Sequence, residues 1–195
     1  MQPAPNSPYQ SFVVWENAFT PMELDAIEIV GDGLKLERAG VGYEDKSGST
    51  DDPLRATRIA WMARGPQTGW IYDRLQRIAL ALNEQIYHYD LAGFSDPFQY
   101  TVYDGNEGGH FGWHVDQAEQ PLPRKLSFSL QLSDGANYEG CDLELFGGSA
   151  REPLPAPRGR GLLICFPSYV LHRVTPITAG TRKALVFWTS GPPFR

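Results

Sequence analysis

The chain has 195 residues, of which 42% are hydrophobic and 21% charged, with a formal net charge of -6. That is ordinary globular usage, in a chain long enough for one substantial core. The acidic balance opposes nonspecific attraction to nucleic acid or to an anionic membrane surface, and no stretch approaches the ~18 uninterrupted apolar residues of a membrane span.

The start, MQPAPNSPYQ, is Pro-rich and polar and has neither the basic nor the apolar part of a secretory signal, so the cytoplasm is the expected location. SFVVW then reads as an edge or entry strand. Thr20, Pro21 and the run MELDAIEIV predict a helix with Thr20 at its N-cap, Pro at its first position and acids in its first turn, ended by Gly31 and Gly33. Residues 37 to 57 hold glycines and charges without sustained periodicity and are expected to form a loop passing the mouth of a site, either a substrate lid or a plain surface connection. From Thr68 to about His88, the apolar positions Ile71, Leu75, Ile78, Leu82 and Ile86 recur at helical spacing and predict a long amphipathic helix that covers one face of a sheet.

Beyond Phe94 the pattern changes to short runs rich in Val, Ile, Phe, Tyr and Leu, separated by Gly, Pro, Asp and Asn: FQYTVY, HFGWHV, KLSFSLQL, DLELFG, GLLICF, LHRV and KALVFW. Such a succession predicts packed β-sheets. In KLSFSLQL, Leu126, Phe128, Leu130 and Leu132 share one face, while Ser127, Ser129 and Gln131 share the other, which lines either a pocket or the outside of the sheet. Cys141 and Cys165, both in expected strands, are too few for a disulfide framework and read as small buried hydrophobes.

His114, Val115 and Asp116, then His172, then Arg182 carry the chemistry. In an extended strand residues i and i+2 point the same way, so His114 and Asp116 can reach one ion. A second imidazole from another strand, His172, completes the two-His, one-carboxylate set that leaves coordination positions open on non-heme iron. Arg182 follows a turn signal at Gly180, and a strand, turn, strand arrangement sets it beside His172. A guanidinium is the side chain best shaped to hold the free carboxylate of a 2-oxo diacid that chelates the iron. His110 lies about 13 Å from His114 along a strand, too far to share the metal, and is given a pocket or loop role at best.

With these residues in place, the chain resembles the 2-oxoglutarate and Fe(II)-dependent oxygenases, and within them the prolyl-hydroxylase-like group of small bacterial proteins. The resemblance rests on QYTVYDGNEGGHFGWHVDQ, RKLSFSLQLSDGANYEGCDLELF and RGLLICFPSYVLHRVTPITAGTRKALVFW. It implies a mainly β (α+β) fold, a double-stranded β-helix or jelly-roll barrel with N-terminal helices packed on one face. One domain would span 1-195, with a helical support region and loop at 1-98 and the β-helix core at 99-190. It further implies His114, Asp116 and His172 as catalytic iron ligands, Arg182 as the partner of the distal 2-oxoglutarate carboxylate, Tyr103 near the cosubstrate and Trp188 as an aromatic ending the last core strand. Many prolyl hydroxylases have Lys where Arg182 stands, and Lys183 would face the opposite way.

The implied cofactors are Fe(II), 2-oxoglutarate and O2, with ascorbate as a stimulant. The implied activity is hydroxylation of an unactivated C-H bond, of a prolyl or other peptidyl side chain or of a free amino acid or small metabolite, with Arg55, Arg58 and Trp61 as candidates to hold an extended peptide. A non-catalytic metal and 2-oxoglutarate sensor is a further alternative. No nucleic acid and no membrane are expected as partners. A cupin-type dioxygenase would show HxH with a following Glu, and a nucleic-acid demethylase of the superfamily a second Arg where Trp188 stands.

Overall fold

The computed structural model describes residues 11–39, 54–116, 122–147 and 152–193. Residues 40–53 of the expected site-mouth loop, and with them the lid it would form, lie outside the described residues. In chain order the first part holds β1 (Val13–Trp15), α1 (Pro21–Asp32), β2 (Glu37–Arg38), β3 (Arg55–Ala56), β4 (Arg58–Met62), α2 (Gly69–Leu82) and β5 (Gly93–Phe94). There follow β6 (Phe98–Asp104), β7 (His110–His114), β8 (Arg124–Gln131), β9 (Tyr138–Gly140), β10 (Leu143–Leu145), β11 (Leu154–Pro155), β12 (Leu163–Pro167), β13 (His172–Val174) and β14 (Ile177–Ser190).

The strands form a nine-stranded major sheet, ordered β1-β12-β8-β14-β6-β4-β2 with β5 and β9 also paired to β14, and a five-stranded minor sheet ordered β11-β10-β13-β7-β3. All seven strands expected beyond Phe94 are present. The two sheets pack face to face through Tyr103, Ile164 and Phe166 of the major sheet and Leu143, Leu145 and Val174 of the minor one, which makes the expected jelly roll.

Both helices cover the other face of the major sheet. There Leu24, Ile27, Ile71, Leu75 and Ile78 meet Phe98, Tyr100, Phe128, Leu130, Leu185 and Phe187 in the larger core. Helix α1 begins as the sequence predicts: Thr20 Oγ1 accepts from Glu23 N at 3.3 Å and Glu23 Oε2 accepts from Thr20 N at 2.8 Å, a reciprocal cap. Its end is different. Gly33 is the C-cap, but Gly31 lies inside the helix, because a Cβ there would stand 2.3 Å from the Tyr100 ring. Gly31 is a point of close approach rather than a stop signal.

The expected helix to His88 ends in a π turn over Asn83–Tyr87. The wider turn rotates Ile86 off the buried stripe, leaving it exposed, and His88 closes the run in the left-handed region at φ 54°. The Asn83 side chain ties the end down by pairing with both the N–H and the carbonyl of Tyr89.

Three further expectations are corrected. The described ends of the 37 to 57 segment form the short strands β2, paired to β4, and β3, paired to β7, which aperiodic sequence does not advertise. Cys141 follows β9 with φ 58° instead of lying in a strand. Gly180 is not a turn but an interior residue of β14 at φ 76°, required there because a Cβ would stand 2.2 Å from the Asn137 carbonyl oxygen.

Candidate metal and cosubstrate site

His114 ends β7 and His172 opens β13, and the two are direct cross-strand partners in the minor sheet. Asp116 lies two residues beyond the end of β7. It is fixed by its N–H, which donates to the Ser168 carbonyl at 2.9 Å, while the Ser168 hydroxyl bonds that of Ser127 at 2.9 Å. The three side chains converge: His114 Nε2 is 3.7 Å from Asp116 Oδ1, His172 Nε2 is 3.5 Å from Asp116 Oδ2, and all the donor atoms lie within 4.8 Å of one another.

Each imidazole is held in the orientation a metal needs. His114 Nδ1 is 2.8 Å from the Gly112 carbonyl and His172 Nδ1 is 2.9 Å from the Val170 carbonyl. A proton on Nδ1 is thereby used locally and Nε2 is left as a lone-pair donor. Phe111 stacks on the His114 ring at 3.5 Å, Phe166 meets the His172 ring edge-on at 4.7 Å, and the Arg55 guanidinium lies over Phe111 at 4.4 Å. Burial, reinforced by the neighbouring His172 ring, pushes His114 down to about 4, so it is neutral at physiological pH. Burial alone would raise the Asp116 carboxyl, but the two imidazoles, with the Trp188 indole and the Ser127 hydroxyl, outweigh it and hold the group below its ordinary value. Trp188 Nε1 reaches toward this carboxylate without forming an aligned hydrogen bond.

A neutral imidazole donor and an ionised carboxylate are the forms that bind a divalent cation. An ion ~2.1 Å from each donor would separate neighbouring donors by about 3 Å, and the two imidazole–carboxylate separations, 3.7 and 3.5 Å, lie within an ångström of that. The residues fit the metal. His110 takes no part: it lies outside the cluster of His114, Asp116 and His172, and its Nδ1 pairs with the Gly108 carbonyl at 2.9 Å.

Arg182 is brought to the site differently from the hairpin that the spacing suggested. His172 belongs to the minor sheet and Arg182 to the major one, so they face the inter-sheet space from opposite walls. The strand neighbour of Arg182 is Tyr103 on β6, whose ring centroid lies 5.4 Å from the guanidinium carbon. Burial pushes the Tyr103 phenol up to about 12, keeping it un-ionised.

Arg182 is only 3% exposed. Its Nε and one terminal nitrogen donate to Gln131 Oε1 at 3.1 and 2.9 Å. Among the described residues no carboxylate pairs with it. Lys183 faces the opposite way, as expected, and binds Asp32 on α1 at 2.7 Å. The polar side of β8 is therefore the pocket side: Ser127, Ser129 and Gln131 are all buried. The sequence left that choice open and gave no sign of Ser168 or Phe111 as parts of the site.

Residues 98–190, just under half of the chain, match the family model of the 2OG-Fe(II) oxygenase superfamily, whose members use Fe(II), 2-oxoglutarate and O2. Within it the chain is similar to the PKHD-type hydroxylase of Nitrobacter winogradskyi, with 36% identity over 100 residues, 48% of this chain and 42% of that protein. The matches span less than half the length of the first curated relatives. In fold it is similar to the prolyl-4-hydroxylase of Pseudomonas putida, with a TM-score of 0.72 and 19% identity covering 94% of both chains. A prolyl hydroxylase from Trichoplax adhaerens, solved with a hypoxia inducible factor peptide fragment, also gives a TM-score of 0.72, at 16% identity over 92% of this chain and 83% of that one.

Proposed function

We propose that this protein is a 2-oxoglutarate- and Fe(II)-dependent hydroxylase acting on a prolyl or other peptidyl side chain. His114, Asp116 and His172 would hold the metal, and Arg182, flanked by Tyr103, the distal carboxylate of the cosubstrate. One observation carries the reading: a fully buried guanidinium, without a carboxylate partner among the described residues, faces the same inter-sheet space as a converged two-His, one-Asp cluster. An uncompensated buried charge costs several kcal/mol, and a dicarboxylate bridging guanidinium and metal removes that cost. The iron and its cosubstrate supply the oxidation, with 2-oxoglutarate leaving as succinate and CO2 while one atom of O2 enters a substrate C-H bond.

The protein's part is binding, orientation and exclusion of water. The carbonyls of Gly112 and Val170 orient the two imidazoles, and the Gln131 amide oxygen aims the Arg182 fork. Exposed apolar side chains cluster beside the metal-binding residues in sequence: Val115 between His114 and Asp116, and Tyr169 and Leu171 just before His172. Trp61, 47% exposed on β4, packs at a tilt against Trp188 at 6.5 Å. The exposed Trp61 indole suits the apolar ring of proline with flanking backbone. Of the other two candidates for holding a peptide, Arg58 pairs with Glu107 and Arg55 covers Phe111.

The test is succinate formation by the purified protein with Fe(II), ascorbate, 2-oxoglutarate and a panel of proline-containing peptides, followed by mass spectrometry for one added oxygen atom. Iron-dependent succinate together with an oxidised prolyl residue is expected. Absence of iron-stimulated succinate with any peptide, amino acid or cell extract would overturn the enzymatic reading and leave a metal-binding module.

A further inference from the structure

The first ten residues, MQPAPNSPYQ, carry prolines at positions 3, 5 and 8, and the reading above does not use them. They lie outside the described residues, but the place where they join the fold is fixed. Strand β1 pairs antiparallel with β12, Val13 opposite Cys165 and Trp15 opposite Leu163. Continued by two residues, that register sets Ser11 level with Pro167, next to Ser168, whose carbonyl accepts from the Asp116 N–H at 2.9 Å. The Phe12 side chain packs into the inter-sheet cluster that contains Phe166, and the Phe166 ring lies 4.7 Å from that of His172.

The minor sheet gives the same position. The Ser11 hydroxyl donates to the Phe146 carbonyl at 3.1 Å, the Phe146 N–H donates to the Leu171 carbonyl at 2.8 Å, and Leu145 is the strand partner of His172. Ser11 therefore bridges the two sheets at the end of the jelly roll where the metal-binding residues lie, roughly 10 to 15 Å from them by strand spacing and rise. The rim there is apolar. Phe146, Leu171 and Val115 are all exposed at the adjoining ends of β10, β13 and β7, one position beyond the row of Leu145, His172 and His114. Prolyl rings suit such a surface.

We propose that the protein hydroxylates its own segment of residues 1–10 in cis, with Pro5 as the target. The proposal rests on the prolyl-hydroxylase reading above and names a substrate for it. A chain spans at most about 3.3 to 3.6 Å per residue, so Pro8, three residues before Ser11, has a reach of about 10 Å, and Pro5, six before, about 20 Å. Only the longer reach covers the distance with slack to turn in between the sheets, and Pro3 adds loop length that makes closure less favourable. Tethered in this way, Pro5 meets the site at an effective concentration on the order of millimolar. The reaction is that of the proposed activity. A ring C–H bond of Pro5 becomes C–OH with one atom of O2, the hydrogen ends on the new hydroxyl, and the other oxygen atom enters the succinate formed as 2-oxoglutarate is oxidised and loses CO2.

The experiment takes the full chain from anaerobic culture, so that the segment starts unmodified, and supplies Fe(II), 2-oxoglutarate, ascorbate and isotopically heavy O2 with no added peptide. Fragmentation mass spectrometry then places the label. A single heavy oxygen on Pro5 is expected, at a rate unchanged by tenfold dilution, while isotope-labelled His172→Ala chains in the same mixture stay unmodified. A burst of succinate matching the amount of protein accompanies it. Pro5→Ala should lose that burst and still form succinate with an added proline-containing peptide. Modification of the His172→Ala chains as fast as the wild type would mean a route between molecules and overturn the proposal. So would oxygen on Pro3 or Pro8 alone, which breaks the reach argument, or on an aromatic residue of the site such as Phe111 or Trp188 with Pro5 untouched. An unmodified segment beside hydroxylation of added peptides would overturn this proposal and leave the proposed function standing. No iron-stimulated succinate, with the chain alone or with any added substrate, would overturn the proposed function, and this proposal with it.

Discussion

The two faces of the major sheet are built from the same strands and do opposite work. On β8 and at the residue after it, Leu126, Phe128, Leu130 and Leu132 enter the core beneath the helices, where Phe128 stacks on Phe187 at 4.6 Å. The residues between them, Ser127, Ser129 and Gln131, are equally buried yet point into the space between the sheets. Strand β14 repeats the division, with Leu185 and Phe187 toward the helices and Arg182 toward the site. Period-two alternation therefore does not separate inside from outside in this protein. It separates an apolar interior that packs against the helices from a polar interior that faces the candidate site.

The largest expected effects lie where the polar interior meets the minor sheet. His114→Ala, Asp116→Ala and His172→Ala should each abolish succinate formation while leaving the circular dichroism of the metal-free protein unchanged, since these side chains form no part of the apolar core. Chelation should abolish activity in the wild type, Fe(II) should restore it and Zn(II) should not, because Zn(II) fills the same donors without redox chemistry. Wild-type turnover in any one variant would remove that residue from the site.

Crossing to the helix face changes what is lost. Phe128→Ala should destabilise the fold by about 3 to 5 kcal/mol in chemical denaturation, the cost of emptying a packed aromatic site, and leave KM for 2-oxoglutarate unaltered in the folded fraction. Arg182→Ala should do the reverse. Truncating one partner of a buried charged pair costs roughly 2 to 5 kcal/mol, so KM for 2-oxoglutarate should rise at least ~30-fold at ~1.4 kcal/mol per decade, without loss of stability in the free protein. Arg182→Lys should recover part of the affinity, keeping the charge but losing the planar fork. If Phe128→Ala altered KM as strongly as Arg182→Ala, the two faces would not be functionally separate.

How much of this the sequence discloses follows from the range of the interactions involved. The Thr20 cap, the stripe from Ile71 to Leu82 and the alternation in β8 are local and can be read directly. The metal cluster is legible because its chemistry admits few residue types at few spacings. What the sequence hides depends on contacts between distant segments. Gly31 reads as a helix stop until the Tyr100 ring is placed against it, and Gly180 as a turn until the Asn137 carbonyl is. The hairpin expected to join His172 and Arg182 fails because a jelly roll sends successive strands to opposite sheets, which places the two residues on facing walls.

Lys183 gives the smallest effect and the sharpest contrast, because it differs from Arg182 by one position and by the face it occupies. Its ammonium binds Asp32 Oδ2 at 2.7 Å and lies 3.8 Å from Glu28 Oε2, at the rim of α1 and partly open to water. Ion pairs in such settings are worth less than about 1 kcal/mol, so Lys183→Ala should shift stability by no more than that and leave KM for 2-oxoglutarate unchanged. The pH dependence has a definite sign. Burial would raise the Asp32 carboxyl, but hydrogen bonds from Lys183 and Tyr100 dominate and hold it below its ordinary value of 3.8. A depressed carboxylate stabilises the fold above its unfolded pKa and loses that contribution as pH falls through the folded one. The difference in stability between wild type and Lys183→Ala should therefore be constant near neutrality and shrink only below about pH 4. Urea denaturation of both proteins at pH 7 and pH 3 reads it. A difference that stayed constant to pH 3, or a change in KM at pH 7, would show that Lys183 acts through the site side of the sheet and not through α1.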